Sequence, residues 1–545
     1  MLAVIVGFSL FIFVCVAALL LGHVAQRHVA SARPCPVPDD STSVIIGRDT
    51  HGSNSWGQAR RQTRRMSGFA AFGFSFSGMG LIGCGCWLLL PAIAQGGPAA
   101  LGIGWPVIGL FALLASCVYA ASASGMPSPG GVYHWVSAVG GKRWGLLAGG
   151  LHIAGQAVLY AVSNVLAASW LNTTMSEAFG YRAAPVGHYA ILAVLFAAQL
   201  WTSARGSDRL GRLFVAAAWL EIATMVGVVV VFVGAGEFGY WPIQMLYEQK
   251  HPVDVLAANP EAESVLLGLL LLYRGVIGGE RAAAIAEDTE EASIHTPWAI
   301  FLSTAYAVIF GYILFAVLLV QIPFSPEAGG LLAGINAILG GDASWLYPAA
   351  AVIVLWSAWC SGAGSLACIA RTWVAMARDR TVSRGERFQT DARRDARARL
   401  LVISAACCAA ISVSVTMQHT LGGGSGLPIQ PLLLAFFLLH AGLAFAAGGR
   451  CAARVGGIAV ASGPWRLGRL EPWTEWMTAA WAIAWLGIIA WFLSAISWCV
   501  LGFAALLLLL AAFRWRRPTG MAGQPLLSAS RAGLEQNSHR VHRSN

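Results

Sequence analysis

The residues best placed to do chemistry in this sequence lie between positions 265 and 297. The segment begins with the apolar run LLGLLLLY and then takes up Arg274, several glycines and Glu280 before a membrane span is complete. A continuous transmembrane helix needs roughly 20 mainly apolar residues, and an ionisable side chain inside one is costly enough to indicate a function. Glycines free backbone N–H and C=O groups that lipid cannot satisfy, so such a break has to face protein or a water-filled cavity.

A second interrupted segment, residues 72–81 (FGFSFSGMGL), lies much earlier in the chain. It combines the small polar residues Ser75 and Ser77 with Gly78 and Gly80 inside an apolar run. Two glycine-interrupted spans around one cavity are how secondary transporters form a solute site near mid-membrane. Small residues also permit close helix packing, but the pair of segments, with charge in one of them, favours the solute site.

Arg274 is the most unusual residue of the interrupted segments. A guanidinium fixed there can bind a carboxylate or phosphate through parallel hydrogen bonds, which would favour an acidic or anionic solute. The alternative is an internal ion pair with Glu280 or Glu221, because buried charges in membranes pair with one another. The sequence leaves both interpretations open.

Glu221 stands inside another apolar run, residues 213–235. A buried carboxyl group can exchange a proton during a transport cycle, so Glu221 is a candidate proton carrier. It could instead neutralise Arg274 and stay ionised. His152 and His440 are isolated inside apolar runs as well, and we interpret them as hydrogen-bonded packing residues.

Membrane helices have to position these residues, and the composition favours such helices. Of the 545 residues, 57% are hydrophobic and only 11% are charged, which is typical of polytopic membrane proteins. The apolar run at residues 1–21 predicts an extra N-terminal span with its N-terminus outside, with a signal-like segment or a later translation start as alternatives. Apolar runs of about 20 residues then predict about twelve core spans, at 69–94, 101–124, 144–171, 186–203, 213–235, 264–282, 298–322, 345–370, 399–417, 427–448, 473–494 and 496–514.

The basic residues are concentrated in every second loop between these spans. One set of loops holds most of the arginines, while the other holds only Arg182 and Lys250 among several acids. This positive-inside pattern predicts a cytoplasmic linker at 22–68, a transmembrane domain at 69–514 and a disordered cytoplasmic tail at 515–545. The net charge of +10 therefore reflects topology in a plasma or inner cell membrane, and no nucleic-acid partner is expected.

Several other functional classes lack support in the sequence. There is no G-x-x-x-x-G-K-[ST] loop for nucleotide, no H-E-x-x-H and no G-x-S-x-G, so neither ATP-driven transport nor an enzyme is predicted. Cys84 and Cys86 could bind a soft metal, but no matching Cys/His cluster stands nearby, and buried helix thiols are the simpler interpretation. We predict no metal and no cofactor, and no oligomeric state follows from the sequence.

Four motifs resemble those of a known family. In order along the chain they are residues 127–135 (PSPGGVYHW), 277–293 (IGGERAAAIAEDTEEAS), 371–379 (RTWVAMARD) and 463–468 (GPWRLG). Together they resemble the amino acid–polyamine–organocation superfamily, closest to its amino acid and choline branch, which contains γ-aminobutyrate permeases. The resemblance covers about residues 66–517.

The resemblance implies an all-α fold of two inverted five-helix repeats with two further helices. It also implies a small-molecule substrate, an amino acid or related amine, held between the interrupted first and sixth spans and coupled to H⁺ or possibly Na⁺ within the lipid membrane. The half-helix N-terminus in such folds faces an anionic substrate group. The substrate-binding residues implied are Ser75, Ser77, Gly78, Gly80, Tyr273, Arg274, Ile277, Gly278 and Gly279, and those implied for ion coupling or gating are Glu221, Glu280, Arg371, Arg378 and Asp379.

The sequence also departs from the family pattern at the expected site. Ala121 stands where glutamate is usual, Gly279 where an aromatic residue is common, and Glu280 where aspartate is common. The usual substrate range therefore does not follow. The leading prediction is a secondary permease, and the alternative is a transporter-like receptor that binds the solute without moving it.

Overall fold

Long apolar helices form nearly all of the described chain, as the predicted spans require. A computed structural model describes residues 2–32, 66–180, 185–205, 207–234, 242–247, 262–321, 346–383, 390–421, 428–495 and 497. In chain order the α-helices α1 to α14 are Leu2–Ser31, Gly68–Met79, Cys86–Gly96, Trp105–Gly125, Val132–Gly140, Lys142–Phe179, Pro185–Ser203, Ser207–Gly234, Ala262–Tyr273, Ala292–Gln321, Leu346–Ser383, Thr390–Leu421, Ile429–Val455 and Glu471–Phe492.

Shorter turns connect or extend these helices. Leu81–Gly85 and Ala100–Gly104 are π-helical, and the 3₁₀ turns are Ile243–Tyr247, Arg274–Val276, Gly279–Ile285 and Gly468–Leu470. The only β-pairing among the described residues is an isolated bridge between Met66 and Thr289.

The predicted all-α integral membrane fold is confirmed. Among the described residues, twelve helices are long and apolar enough to cross a membrane. One of them is α1 and eleven belong to the core. Most core ends lie within a few residues of the predicted ones, but the helix predicted at 345–370 continues to Asp379 and the one predicted at 427–448 continues to Val455. The predicted span 496–514 apart from residue 497, the tail 515–545 and residues 33–65 of the predicted linker lie outside the described residues.

The first and sixth core spans are both interrupted, and they pack against each other in the middle of the bundle. The first consists of α2, the π-helical turn and α3, and the sixth of α9 and the two 3₁₀ turns that follow it. This pairing of corresponding spans is the arrangement that two inverted five-helix repeats produce.

The extra helix α1 lies on the outside of this bundle, antiparallel to α10. The ring of Phe11 stacks on Tyr312 near the end of α10, with centroids 4.2 Å apart. Gly22 follows Phe11 by eleven residues, which is about three helical turns. A Cβ at Gly22 would lie 3.3 Å from Phe301, which is nearer the start of α10 than Tyr312. The helix therefore runs opposite to α10, with large apolar side chains such as Leu19 and Leu20 exposed on its other face.

The helix α1 is longer than the apolar run that predicts it. It continues ten residues past position 21, through polar residues, to Ser31, whose hydroxyl donates to the Arg27 carbonyl at 2.7 Å. Polar residues stop a membrane span but not a helix, since the hydrogen bonds of an α-helix also form outside lipid.

Candidate functional site

The first interruption begins where α2 ends at Gly80. The Ser67 hydroxyl caps the start of α2 by accepting from the Ala70 N–H at 3.2 Å. Gly80 adopts φ 59° and ψ 42°, and its N–H bonds to the Ser77 carbonyl. Glycine suits this left-handed conformation because it has no Cβ. We call residues 80–85 the first break.

The second interruption follows Tyr273 at the end of α9. A 3₁₀ turn over Arg274–Val276 leads into extended backbone at Ile277 and then to Gly278, whose φ is 115°. That backbone conformation again requires glycine. We call residues 274–278 the second break, and it stands where the sequence predicted it.

A single serine links the two interrupted spans. The Ser75 hydroxyl donates to the Gly279 carbonyl at 2.7 Å and accepts from the Ala282 N–H at 3.0 Å. Both of those backbone groups would be unpaired in a broken helix. From the first span, Ser75 therefore pairs two backbone groups of the turn that follows the second break.

Two arginines lie against the end of α2. Arg274 donates through Nη1 to the Met79 carbonyl and through Nη2 to the Ser163 hydroxyl at 3.2 Å. Arg281 lies against Gly78, where a Cβ would be only 2.7 Å from its Nη1. Each arginine is only 1% exposed.

These two guanidinium groups are incompletely paired. Arg281 donates through Nε to the Gln156 side chain at 3.2 Å, while its Nη1 and the Nε of Arg274 lack partners among the described residues. The hydroxyl of Ser77 lacks one too. No carboxylate of the described residues lies within 4.0 Å of either guanidinium, so neither predicted ion pair of Arg274, with Glu280 or with Glu221, is formed.

Glu280 is held on the other side of the second break. Its Oε1 accepts from Gln156 Nε2 at 2.8 Å and lies 3.8 Å from His152 Nε2. Gln156 thus joins Glu280 to Arg281 through its two side-chain ends. A buried chain of charged and polar groups of this kind couples the positions of its members.

Glu221 lies on α8 and is nearly inaccessible to solvent. Its Oε1 accepts from the Ser357 hydroxyl at 3.3 Å, and its Oε2 has no partner among the described residues. Burial of a carboxylate without a counter-ion is costly, and a bound proton removes that cost. The position therefore suits a group that gains and loses a proton.

Arginines of α11 pair with acids that follow the second break. Arg371 forms an ion pair with Asp288, and Arg378 forms one with Glu287 at 3.1 Å. The sequence placed both arginines at the end of this span. Through these pairs they hold the segment after the sixth span against α11.

Asp379 joins the same region to α5. Its carboxylate accepts from the Tyr133 hydroxyl at 2.9 Å and lies 3.4 Å from His134 Nε2. Burial and the neighbouring Asp379 carboxylate raise the pKa of Tyr133 above its usual value, so Tyr133 acts as a donor. These contacts link the end of α11 to α5.

The structure explains one of the departures from the family pattern, the glycine at position 279. A Cβ at Gly279 would lie 2.5 Å from Thr304 Oγ1 and 2.8 Å from Met79 Cε, so an aromatic side chain has no room there. Ala121 is buried in α4, and nothing in the structure explains the absence of a carboxylate at that position.

Sequence reasoning missed several residues that the structure brings to the breaks. Arg281 and Gln156 contribute most, followed by Ser163 and Ser357. Arg281 follows Glu280 directly, so a second ionisable residue inside the same interrupted span was the available signal. The other three are small or neutral polar residues in intact helices, and no sequence signal separates them from ordinary helix residues.

Comparison with known proteins shows which family the chain matches. A family model described as amino acid permease matches residues 66–440. An "Amino-acid permease BAT1 homolog" of Oryza sativa subsp. japonica is 27% identical over 294 residues, covering 50% of this chain and 56% of that protein. A "GABA-specific permease" of Saccharomyces cerevisiae is 38% identical over 86 residues, or 14% of each chain. The chain spans about half the length of the curated plant relatives it matches.

Solved structures of transporters are similar at low identity. A manganese transporter mutant of Eremococcus coleocola has a TM-score of 0.49 and 12% identity, covering 87% of this chain and 97% of that one.

Proposed function

We propose, on the premise that this chain belongs to the amino acid permease family, that it is a secondary active transporter of an amino acid. The family predicted from the four motifs is thereby confirmed. The proposal is carried by the buried guanidinium groups of Arg274 and Arg281 at the end of α2, each with a nitrogen that lacks a partner among the described residues. Two buried like charges repel each other, and an anion between them removes both costs.

An amino acid supplies that anion as its carboxylate. Arg281 Nη1, Arg274 Nε and the Ser77 hydroxyl are the donors available to it, and charge-assisted hydrogen bonds to arginine are the strongest of this kind. The carbonyls of Ile277 and Gly278 at the second break are then the acceptors for the amine. Gly80 and Tyr273 flank this arrangement.

The experiment that tests this function compares matched solutes. Purified protein in liposomes is given amino acids, each beside the amine that remains when its carboxyl group is removed, under an inward proton gradient with and without Na⁺. We expect concentrative uptake of an amino acid and at least about tenfold lower uptake of its amine. Saturable binding without accumulation under any gradient would instead favour the receptor.

We assign proton coupling to Glu221, whose Oε2 has no partner among the described residues. We expect Glu221→Gln to abolish accumulation driven by the proton gradient while exchange of labelled amino acid across the membrane continues, because glutamine keeps the hydrogen bond to Ser357 but binds no proton. Uptake by the unaltered protein should rise as external pH falls, and the variant should show no such rise.

A matched control for this experiment is Glu263→Gln, since Glu263 lies at the exposed start of α9 and accepts from Trp491. It should leave the pH dependence intact. If Glu221→Gln still accumulates substrate in response to the gradient, another group carries the proton. If uptake depends on Na⁺ at constant pH, sodium rather than the proton is the coupling ion.

We place the arginine-rich end of the bundle, and with it the C-terminus, in the cytoplasm of a cell whose plasma or inner membrane holds the protein. The support is the positive-inside distribution of the loop arginines. The ion pairs of Arg371 and Arg378, with Asp379, then form the inner gate, and Glu280 lies just above it.

Labelling of the Cys368 thiol reports on the opening of this gate, because Cys368 is buried beside Glu280 and His152 in a small cavity. In an Arg371→Gln/Arg378→Gln variant we expect a membrane-impermeant thiol reagent to label Cys368 from the cytoplasmic side about tenfold faster. Each partly exposed ion pair stabilises the closed state by up to about 1 kcal/mol. Losing both pairs therefore shifts the equilibrium towards the open state by about tenfold. Labelling is measured by peptide mass spectrometry.

Cys360 provides the internal control, because it is fully buried on the same helix. It does not line that cavity and takes part in neither ion pair. Its labelling should stay unchanged. Equal acceleration at both cysteines would indicate general loosening of α11 rather than opening of a gate.

A further inference from the structure

The N-terminal helix α1 lies outside the part of the chain that the family model matches. That match begins at residue 66, whereas α1 ends at Ser31. One face of α1 is nevertheless buried against the bundle along most of the helix. The buried residues of this face are Gly7, Val14, Ala18, Leu21 and Ala25. Any effect of α1 on the rest of the protein acts through their contacts.

The first turns of α1 pack against the 3₁₀ turn Ile243–Tyr247, which precedes the sixth core span. A Cβ at Gly7 would clash with the ring of Tyr247 and would lie 3.1 Å from the Gly102 carbonyl oxygen. Glycine lets neighbouring segments in a membrane approach this closely. The ring of Tyr247 is only 6% exposed, so α1 helps to fix the position of this turn.

Aromatic rings tie the same turn to the end of α10. Phe11 stacks on Tyr312 with centroids 4.2 Å apart, and the Tyr312 hydroxyl lies 3.2 Å from the Tyr247 hydroxyl. Stacked aromatic pairs are more stabilising than their buried area alone implies. We call Phe11, Tyr247 and Tyr312 the Phe11 cluster, which joins α1, α10 and the turn.

The π-helical turn Ala100–Gly104 connects the Phe11 cluster to the sixth core span. A Cβ at Gly102 would clash with the Leu246 carbonyl group, and a Cβ at Gly104 would clash with the Leu269 side chain. Leu269 belongs to α9, the helical part of the sixth span before the second break. The π-helical turn therefore fits closely between the turn that α1 contacts and α9.

The helix α9 also packs closely on α3, the part of the first core span after the first break. A Cβ at Gly268 would lie 2.7 Å from the Ala92 carbonyl oxygen and 3.0 Å from Gly96 Cα. These two half-spans close the end of the bundle opposite the ion pairs of Arg371 and Arg378, and we call it the α3–α9 end. A movement of α9 relative to α3 alters the contact of Leu269 with the π-helical turn.

We propose that α1 is a brace for the α3–α9 end, which means that it stabilises the state in which this end is closed. Through the Phe11 cluster it holds the turn Ile243–Tyr247, which supports the π-helical turn, which in turn supports α9. The inference rests on the proposed transport, because a transporter has to open and close its two ends in alternation. Loss of the brace then favours opening of the α3–α9 end and closure of the other.

Two buried thiols report on the two ends. Cys84 lies in the first break, is 7% exposed and stands beside Arg274, and its Sγ lies 4.0 Å from the Ser163 carbonyl oxygen. A polar reagent reaches it when the α3–α9 end opens. Cys368 reports on the opposite end, as described above.

The test removes the ring of Phe11 from the purified full-length protein in detergent. All proteins also carry Cys86→Ser, so that Cys84 is the only thiol of its segment. In Phe11→Ala we expect a polar thiol reagent to label Cys84 about fivefold faster, the contribution of one stacked aromatic pair, and Cys368 more slowly. Peptide mass spectrometry measures both rates in one sample. General loosening of the protein would accelerate both.

Phe13→Ala is the matched control, because Phe13 lies about 200° around α1 from Phe11 and is 57% exposed. Both labelling rates should stay unchanged in it. If Phe11→Ala fails to fold, Gly7→Val decides the matter. Its side chain displaces the ring of Tyr247 from the same cluster and should produce the same opposite changes at the two thiols.

Equal labelling of Phe11→Ala and Phe13→Ala, or faster labelling of both thiols in Phe11→Ala, would overturn the proposal. The outcome is separable from that of the uptake experiment, because labelling needs no substrate. Opposite changes at the two thiols without amino acid uptake would leave the brace standing and remove only the proposed substrate. Uptake with unchanged labelling would remove the brace alone.

Discussion

An Arg281→Gln variant is expected to lose amino acid uptake by about two orders of magnitude at low substrate concentration. Arg281 is buried against Gly78, and its Nη1 has no partner among the described residues. Removing one member of a buried charge pair costs about 2–5 kcal/mol, which corresponds to about 30-fold to several thousand-fold in affinity. The measurement is initial uptake over a range of substrate concentrations in liposomes.

Two further variants make the result specific. Arg205→Gln changes a guanidinium that stacks on Trp201 at 4.1 Å near the end of α7, and it should transport normally. Arg274→Gln should also lower uptake, although this arginine is bonded to Met79 and Ser163 and is less free to meet a ligand. Normal affinity in a folded Arg281→Gln protein would remove the proposed carboxylate site.

The second large effect concerns stability rather than transport. Glu475 on α14 is 1% exposed, and its Oε1 accepts from Arg450 Nε at 2.7 Å while Oε2 accepts from Arg454 Nε at 2.5 Å. Glu475→Leu leaves the buried guanidinium of Arg450 without this partner. Breaking a buried ion pair by removing one member costs about 3–5 kcal/mol, so we expect a marked fall in the unfolding temperature in detergent.

A double variant distinguishes this explanation from simple misfit of leucine. In Glu475→Leu/Arg450→Leu the unpaired buried charge is gone, and part of the lost stability should return. Glu471→Gln should have a smaller effect, because Arg454, which it contacts at 2.8 Å, keeps Glu475. Equal destabilisation in the single and double variants would contradict the role of the unpaired arginine.

The positions of the helices could be predicted because a bilayer imposes a minimum apolar length on every span. The eleven core spans among the described residues follow the apolar runs, and the glycines at 80 and 278 adopt the left-handed backbone that marks each break. These are local consequences of composition and of a missing Cβ, so sequence is sufficient for them.

The chemistry of the breaks could be predicted less well, because it depends on residues distant in sequence. Gln156 meets Glu280 and Arg281 across 124 and 125 positions, and an uncharged amide inside a helix gives no sign of this. His440 is interpreted from sequence as a packing residue, and its Nδ1 does bond to its own helix. Only the packing of α4 and α10 around it reveals that its other nitrogen faces a cavity.

The helix α1 offers a practical consequence for observing this protein at work. It packs on α4 and α10, which stand beside the interrupted spans, while its opposite face points outward. A fluorophore at Leu19 or Leu20 would therefore report on that side of the bundle without entering its interior. Paired with a second dye at the exposed Val402 of α12, it would allow the distance between these two helices to be measured by energy transfer, with and without substrate.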